Sequence, residues 1–475
     1  SLRQAIADVC TGGAIGFAAG LSGQTITLGS QLEITRGMTI RSTAPITVSG
    51  NRAVRVFNVS GGPVMLDGLT IAHGSAVDGA GIHNSGELTV TNSMVYSNVT
   101  STYGGGMYNN GASPSLSNVV FRNNRANSDG GAMYNYGYDH RVSSPSLANV
   151  TFSGNRANSY GGAMYNNGNN AGTSSPSLVN VTFSGNQAVS GGAMFNQGYD
   201  GISNPSLVNV TFSGNRANYG GAMYNNGFYG ISNPSLVNVT FSGNWANTSG
   251  GVMYNDGTNS GTSRPNLVNA ILWGNAATNG AQIYNSSASP VVSYSIIEGD
   301  CPVGTTCNNV SSSDPSFVVS IAASSAPTTT GNYRLQAGSP AIDAGNSLSV
   351  TVTTDLDGNP RIVNGVVDMG AYEKQTLPAP ALNLSKQVTP TTNVAYQGVV
   401  TYTLILSNTG NLTDTAKLTD TLPAQVTFGG WVENPGATES AGEITWRGAI
   451  TPSSALTFTF TATNTGAYVG VITNT

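Results

Sequence analysis

The chain has 475 residues, 39% hydrophobic and only 8% charged, about a third of the share usual in globular domains, with a formal net charge of −5. The length allows two or three domains, and the apolar content excludes a disordered polar chain. The acidic balance without a basic run argues against a nucleic-acid partner, and no apolar stretch is long enough for a membrane-spanning helix.

The first segment, Ser1–Val9, carries Leu2, Ile6 and Val9 at helical spacing. It reads as a short amphipathic helix that caps the first coil and shields its open edge, and residues 1–60 read as this cap and the first coils. From there the chain repeats itself. The Met of a Gly-Gly-x-Met word recurs at Met107, Met133, Met164, Met194, Met223 and Met253, with Ile82 before and Ile283 after. The Phe of "VTF" tracks it at Phe121, Phe152, Phe183, Phe212 and Phe241. The period is near thirty residues, each unit holds short β-branched runs separated by turn residues, and none shows helical periodicity. Helical repeats and propeller blades are thereby excluded. The expected fold is all-β: a right-handed parallel β-helix over residues 61–373.

Stacking turns each recurring position into a column about 4.8 Å per step. The Met and Phe columns are expected in the core, Ala126, Ala157, Ala188, Ala217 and Ala246 where the coil is tight, and Asn124, Asn155, Asn186, Asn215 and Asn244 as an amide ladder at a turn. The Gly pair before each Met suits a sharp bend with close backbone approach. Beside each Met stands an aromatic: Tyr108, Tyr134, Tyr165, Phe195, Tyr224, Tyr254 and Tyr284. If Met points inward, alternation points the ring outward. This column is either an exposed platform for sugar rings or a protein partner, or a second layer of core beneath long loops such as 169–175. Arg125, Arg156, Gln187, Arg216 and Trp245 form another outward column, read as a solubilising face. The Asn-Val-Thr triplets at Asn149, Asn180, Asn209 and Asn238 read as ladder positions, not glycan sites. His73, His83 and His140 have no metal-ligand spacing.

The words "GGAMYN" and "FSGN" together resemble the repeats of polymorphic outer-membrane proteins, a family of β-helix surface proteins. The resemblance implies a bacterial extracellular or cell-surface location and often adhesion. "SLRQAI" is similar to the start of secreted bacterial β-helix proteins, in which a Cys precedes the Ser; by that likeness Cys10 would pair upstream.

Toward the far end, Cys301 and Cys307 bracket a short loop that can close as a disulfide. "GSPAIDAG", "TDLDGNPR" and "VDMGAYE" (338–373) resemble the choice-of-anchor Q region that closes secreted β-helices. Asp343, Asp355, Asp357, Asp368 and Glu373 concentrate acid there. One reading is a Ca²⁺ site built on Asp355, Asp357 and Asp368. The other is a buried network in which Arg361 and backbone amides satisfy the carboxylates.

Residues 374–382 form a Pro-rich linker. Residues 383–475 alternate as antiparallel strands and are expected to form an immunoglobulin-like β-sandwich. Their words "VTYTLILSNTG" and "LTDTLP" resemble the DUF11 repeat of bacterial surface proteins. Parity places Lys386, Asp420 and Asn474 inward on their strands. A first-strand Lys, a middle acid and a last-strand Asn resemble the self-forming isopeptide bond of surface-pilin domains; the alternative is that Lys386 reaches out to solvent.

No catalytic residue is assigned. A β-helix lyase needs carboxylates and a basic group clustered on adjacent coils, whereas Asp129, Asp139, His140, Asp200 and Asp256 are scattered. The expectation is a non-enzymatic structural or adhesive surface protein that self-associates, without a required cofactor. The alternative is a polysaccharide-binding or polysaccharide-cleaving β-helix.

Overall fold

The computed structural model describes residues 1–375, 380–392, 394–410 and 412–466. The chain divides into two compact units, Ser1–Gln375 and Thr376–Thr475.

In the first unit each repeat makes one turn of a parallel β-helix. The Met-bearing strands, among them Met133–Tyr136, Met164–Asn167 and Met194–Gln197, pair Met on Met in a ten-stranded parallel sheet. The strands Ser146–Ser153, Ser177–Ser184, Ser206–Ser213 and Ser235–Ser242 pair Phe on Phe in a second parallel sheet. Short Arg-Ala strands make the third face. In-register stacking comes from near-identical repeats, because any slip would set unlike side chains against each other in a closed core. The Met and Phe columns are fully buried, and successive Phe rings stack at 4.7–5.0 Å.

The turn asparagines do more than stack. In Asn155, Asn186, Asn215 and Asn244, Oδ1 accepts from both the backbone N–H and the side-chain amide of the Asn one coil earlier, while Nδ2 donates onward and to a Phe carbonyl. The column runs from Asn98 to Asn275 and is buried throughout. A second buried amide ladder, Asn109, Asn135, Asn166, Asn196, Asn225 and Asn255, lies inside the "MYN" strands. The Asn of the Asn-Val-Thr triplets takes the left-handed conformation, φ 52–56°, where Asn is the favoured residue after Gly. Its amides form a third ladder, exposed at Asn149 and buried at Asn209 and Asn238, where Asn209 also donates to Thr354 O. The left-handed turn thus accounts for the Asn of the triplet.

The N-terminal helix Leu2–Asp8 seats Leu2 and Ile6 on the core of the first coil. Arg36 holds its C-terminal end, its guanidinium donating to the carbonyls of Ile6, Ala7 and Val9. Such a cation satisfies carbonyls that the helix leaves unpaired.

The segment 314–375 does not sit over the end of the last coil. It doubles back along the flank of the β-helix: Thr328 N donates to Gly214 O, Asn209 Nδ2 to Thr354 O, and Ala371 N to Thr240 Oγ1. Phe317, Tyr333, Leu335 and Met369 join Ile271 and Ile296 in a separate apolar cluster beneath it.

The second unit packs a four-stranded antiparallel sheet, ordered Leu382–Thr389, Val399–Asn408, Ser454–Asn464, Val426–Glu433, on a three-stranded sheet of Asp414–Thr421, Glu443–Ile450 and Thr438–Ser440. Leu404, Leu418, Ile444, Trp446, Phe458 and Phe460 fill the space between them.

Candidate functional site: the aromatic face

The ring beside each Met points away from the core, as strand alternation requires. The rings form one continuous column from Tyr108 to Tyr284 with neighbouring centroids 4.6–5.4 Å apart. It is not exposed along its length. Tyr108, Tyr134, Tyr165 and Phe195 are buried, whereas Tyr224, Tyr254 and Tyr284 are half-buried. The cover consists of other rings. Tyr103 lies 4.7 Å from Tyr134, Tyr136 lies 6.0 Å from Tyr108, and Tyr160 lies 4.8 Å from Phe195. The long loops instead stack on one another as a ladder of bridges through Val142, Thr173, Ile202, Ile231 and Thr262. An exposed platform over all seven positions is therefore incorrect, because a second aromatic layer closes its first half.

That layer has a pattern the repeat alone does not show. The position just before the Gly pair reads Tyr103, Asp129, Tyr160, Ser190, Tyr219, Ser249. Every second coil carries a tyrosine and the coil between carries a smaller residue. Each tyrosine leans forward over the ring of the next coil, Tyr103 on Tyr134, Tyr160 on Phe195, Tyr219 edge-on to Tyr254. The smaller residue leaves the room for this. Beyond Tyr160 the cover opens into a groove of about 420 Å³ lined by Tyr160, Tyr165, Phe195, Tyr219, Tyr224 and Tyr254 with Ser190, Gln197 and Asn226.

The phenols are held neutral, since burial pushes Tyr165, Tyr224 and Tyr254 above their ordinary range. Asp129 is buried in this face. Its carboxylate accepts from Tyr160 N at 3.2 Å, yet burial pushes it up to about 6. The folded state then holds this proton more tightly than the unfolded chain. Its contribution to stability is complete below about pH 4 and is lost as pH rises through about 6, at most about 2–3 kcal/mol. Asp129→Asn is expected to reduce the loss of melting temperature between pH 4 and pH 7, measured by calorimetry on both proteins.

The acidic segment near the end of the first unit forms a network, not a cation site. Asp355 accepts from the backbone of Asp357, Asn359 and Glu373, and Asp368 from that of Asp343 and Lys374. Asp357 pairs with Arg334. Arg361, fully enclosed, donates to Asp368 O and Gly370 O and faces Glu373 at 3.6 Å. The Ca²⁺ reading of Asp355, Asp357 and Asp368 is thus corrected: their acceptor capacity goes to amides and arginine, and among the described residues no three acidic, His or Cys side chains gather as metal ligands. Cys301 and Cys307 are joined in a disulfide, and Cys10 is an exposed free thiol.

His83 stacks on Tyr108 at 5.2 Å, and His73 meets Tyr96 edge-on. On the Arg column, the Arg216 guanidinium covers Trp245 at 4.2 Å.

In the second unit Lys386 Nζ lies 2.6 Å from Asp420 Oδ1, an ion pair that ties the two sheets together. Asn474 lies outside the described residues. Asp420 is buried with Oδ2 unpartnered, and Lys386 is one-fifth exposed. Asp420→Ala is expected to cost the sandwich about 2 kcal/mol, less than a fully buried pair because Lys386 reaches water, read as a lowered transition of that unit in the full chain.

The stacked coils and their paired ladders define a parallel β-helix repeat protein with an antiparallel β-sandwich domain. Residues 149–167 match the Chlamydia polymorphic membrane protein repeat. No curated protein sequence matches the chain. Among solved structures it is similar to the pectate lyase Pel9A (15% identity, TM-score 0.45, covering 79% of this chain and 91% of that one). It is also similar to the tailspike protein of E. coli bacteriophage HK620 in complex with pentasaccharide (13% identity, TM-score 0.33, covering 98% and 89%). No helix among the described residues is long and apolar enough to cross a membrane.

Proposed function

We propose that this chain is a non-enzymatic bacterial surface protein whose β-helix unit is a stiff rod that displays its flanks for adhesion or for assembly with further copies. The observation that supports this best is the pair of buried amide ladders running coil to coil through the β-helix. They spend polar groups on length and rigidity, and leave the chemistry to regularly spaced side chains on the outside. The surface location rests on the matched repeat, and the adhesive role on the partly open aromatic face. Negative-stain microscopy of the native surface with antibody labelling tests it: labelled fibres or patches are expected, and label confined to the cell interior would reject it.

A polysaccharide ligand is the second reading, favoured by the groove between Tyr160 and Tyr219. Cleavage has less support, since the groove lining carries no carboxylate and Asp129, set into the closed part of the face, accepts from the Tyr160 backbone amide.

A further inference from the structure

Tyr160, Ser190 and Tyr219 stand on three consecutive coils in direct bridge register. The two tyrosines are 41% and 38% exposed, while Ser190 between them is 6% exposed. They are two teeth with a small residue between them. Two coil steps separate their backbones by about 9.6 Å. Their rings are not parallel: Tyr160 leans over Phe195 at 40°, and Tyr219 stands edge-on to Tyr254, at 85°, so Tyr219 keeps its faces outside the column. The groove lined by the two, about 420 Å³, has room for one sugar ring.

The rest of the lining selects among flat ligands. It carries amides and a hydroxyl at Gln197, Asn226 and Ser190, and no formal charge. Asn226 Nδ2 donates to Gln197 Oε1 at 3.0 Å, and Asn226 Oδ1 accepts from Phe228 N. The Gln197 NH2 group is left with no partner among the described residues. Aromatic faces suit the C–H faces of a sugar, amides suit its hydroxyls, and the absence of a cation in the lining disfavours an acidic chain.

We propose that the slot between Tyr160 and Tyr219 binds one sugar ring of an uncharged glycan whose chain crosses the aromatic face. This deepens the adhesive reading by naming the ligand class, and it rests on that reading only for the location. The alternation sets two further features. At the corresponding position one pair earlier, Tyr103 leans over Tyr134 and Asp129 is buried, so the face is closed there. Tyr219 and the smaller Ser249 leave the face open toward Tyr254 and Tyr284.

The test is affinity gel electrophoresis of the full chain in xylan, mixed-linkage β-glucan and galactomannan, with polygalacturonate as the charged comparison. Retardation by at least one neutral polymer and none by polygalacturonate is expected. Tyr219→Ala should weaken the retardation at least about tenfold, the loss of one well-stacked ring. Ser190→Tyr, which fills the gap with a third tooth, should abolish it. Tyr138→Ala, at an exposed ring outside the groove, should leave it unchanged. Circular dichroism and melting establish that each variant is folded; an unfolded Ser190→Tyr would be replaced by Ser190→Gln, with the same expectation of weaker binding. No retardation by any neutral polymer, equal retardation by polygalacturonate, or unchanged binding in both slot variants would overturn the proposal. Surface labelling that persists in that case would leave the rod reading standing.

Discussion

Asn186→Ala is expected to lower the unfolding free energy by about 4 kcal/mol, the sum of several buried polar groups left without partners. The substitution removes Oδ1 from Asn155 N and Asn155 Nδ2, both at 3.0 Å, and removes the donor to Phe152 O. No solvent reaches these groups, because Asn155 and Phe152 are almost completely buried. Asn180→Gly on the outer ladder is the matched comparison. It keeps the left-handed turn conformation and loses an exposed bond to Asn149 and the bond it accepts from Asn209, whose amide still donates to Thr354 O, so it should cost no more than about 2 kcal/mol. Urea unfolding of both proteins measures the difference. Equal, small losses would mean that water enters the stack and replaces the amide, and the ladder would then not be the source of rigidity.

Gly192→Ala should be comparably damaging, by at least about 3 kcal/mol, for a purely steric reason. A Cβ there would lie 2.1 Å from Gly221 O and 2.8 Å from Arg216 O, both backbone atoms of the next coil. Relief requires the coils to part, but Gly192 N is bonded to Gly220 O at 3.0 Å and Gly221 N to Gly250 O at 2.9 Å. Gly29→Ala meets nothing within 4 Å and has no left-handed backbone, so it should change stability by less than about 1 kcal/mol. Thermal unfolding of the two variants separates close coil packing from the general effect of replacing glycine.

Much of the fold is legible in the sequence. The spacing of Met107 through Met253 and Phe121 through Phe241 identifies the coil, and identity at each position identifies the register. Asn124 through Asn244 can be read as a ladder because a polar residue recurring beside a buried Phe needs a partner, and the nearest candidate is its own copy one coil away. The inner ladder through Asn135 and Asn166 carries the same signal in the word "MYN", but the flanking Met and Tyr mask the amide between them. The alternation of Tyr103, Asp129, Tyr160, Ser190 and Tyr219 is also present in the sequence, but it has a period of two repeats, which one-repeat identity conceals.

The cover on the aromatic column is decided elsewhere. Alternation along a strand determines only that Tyr134 and Phe195 point outward; whether water reaches them depends on rings that arrive from neighbouring coils. The segment 314–375 is a similar case. Its acids and Arg361 suggest either a cation site or a network, and its place along the flank is set by contacts to Gly214, Asn209 and Thr240, more than a hundred residues away in sequence. The sequence by itself determined the coil, its register and the direction of every recurring side chain, because these depend on local period and on self-matching between repeats. Only the tertiary structure decided which outward faces stay open, because exposure is set by the lateral packing of segments that share no pattern with the surface they cover.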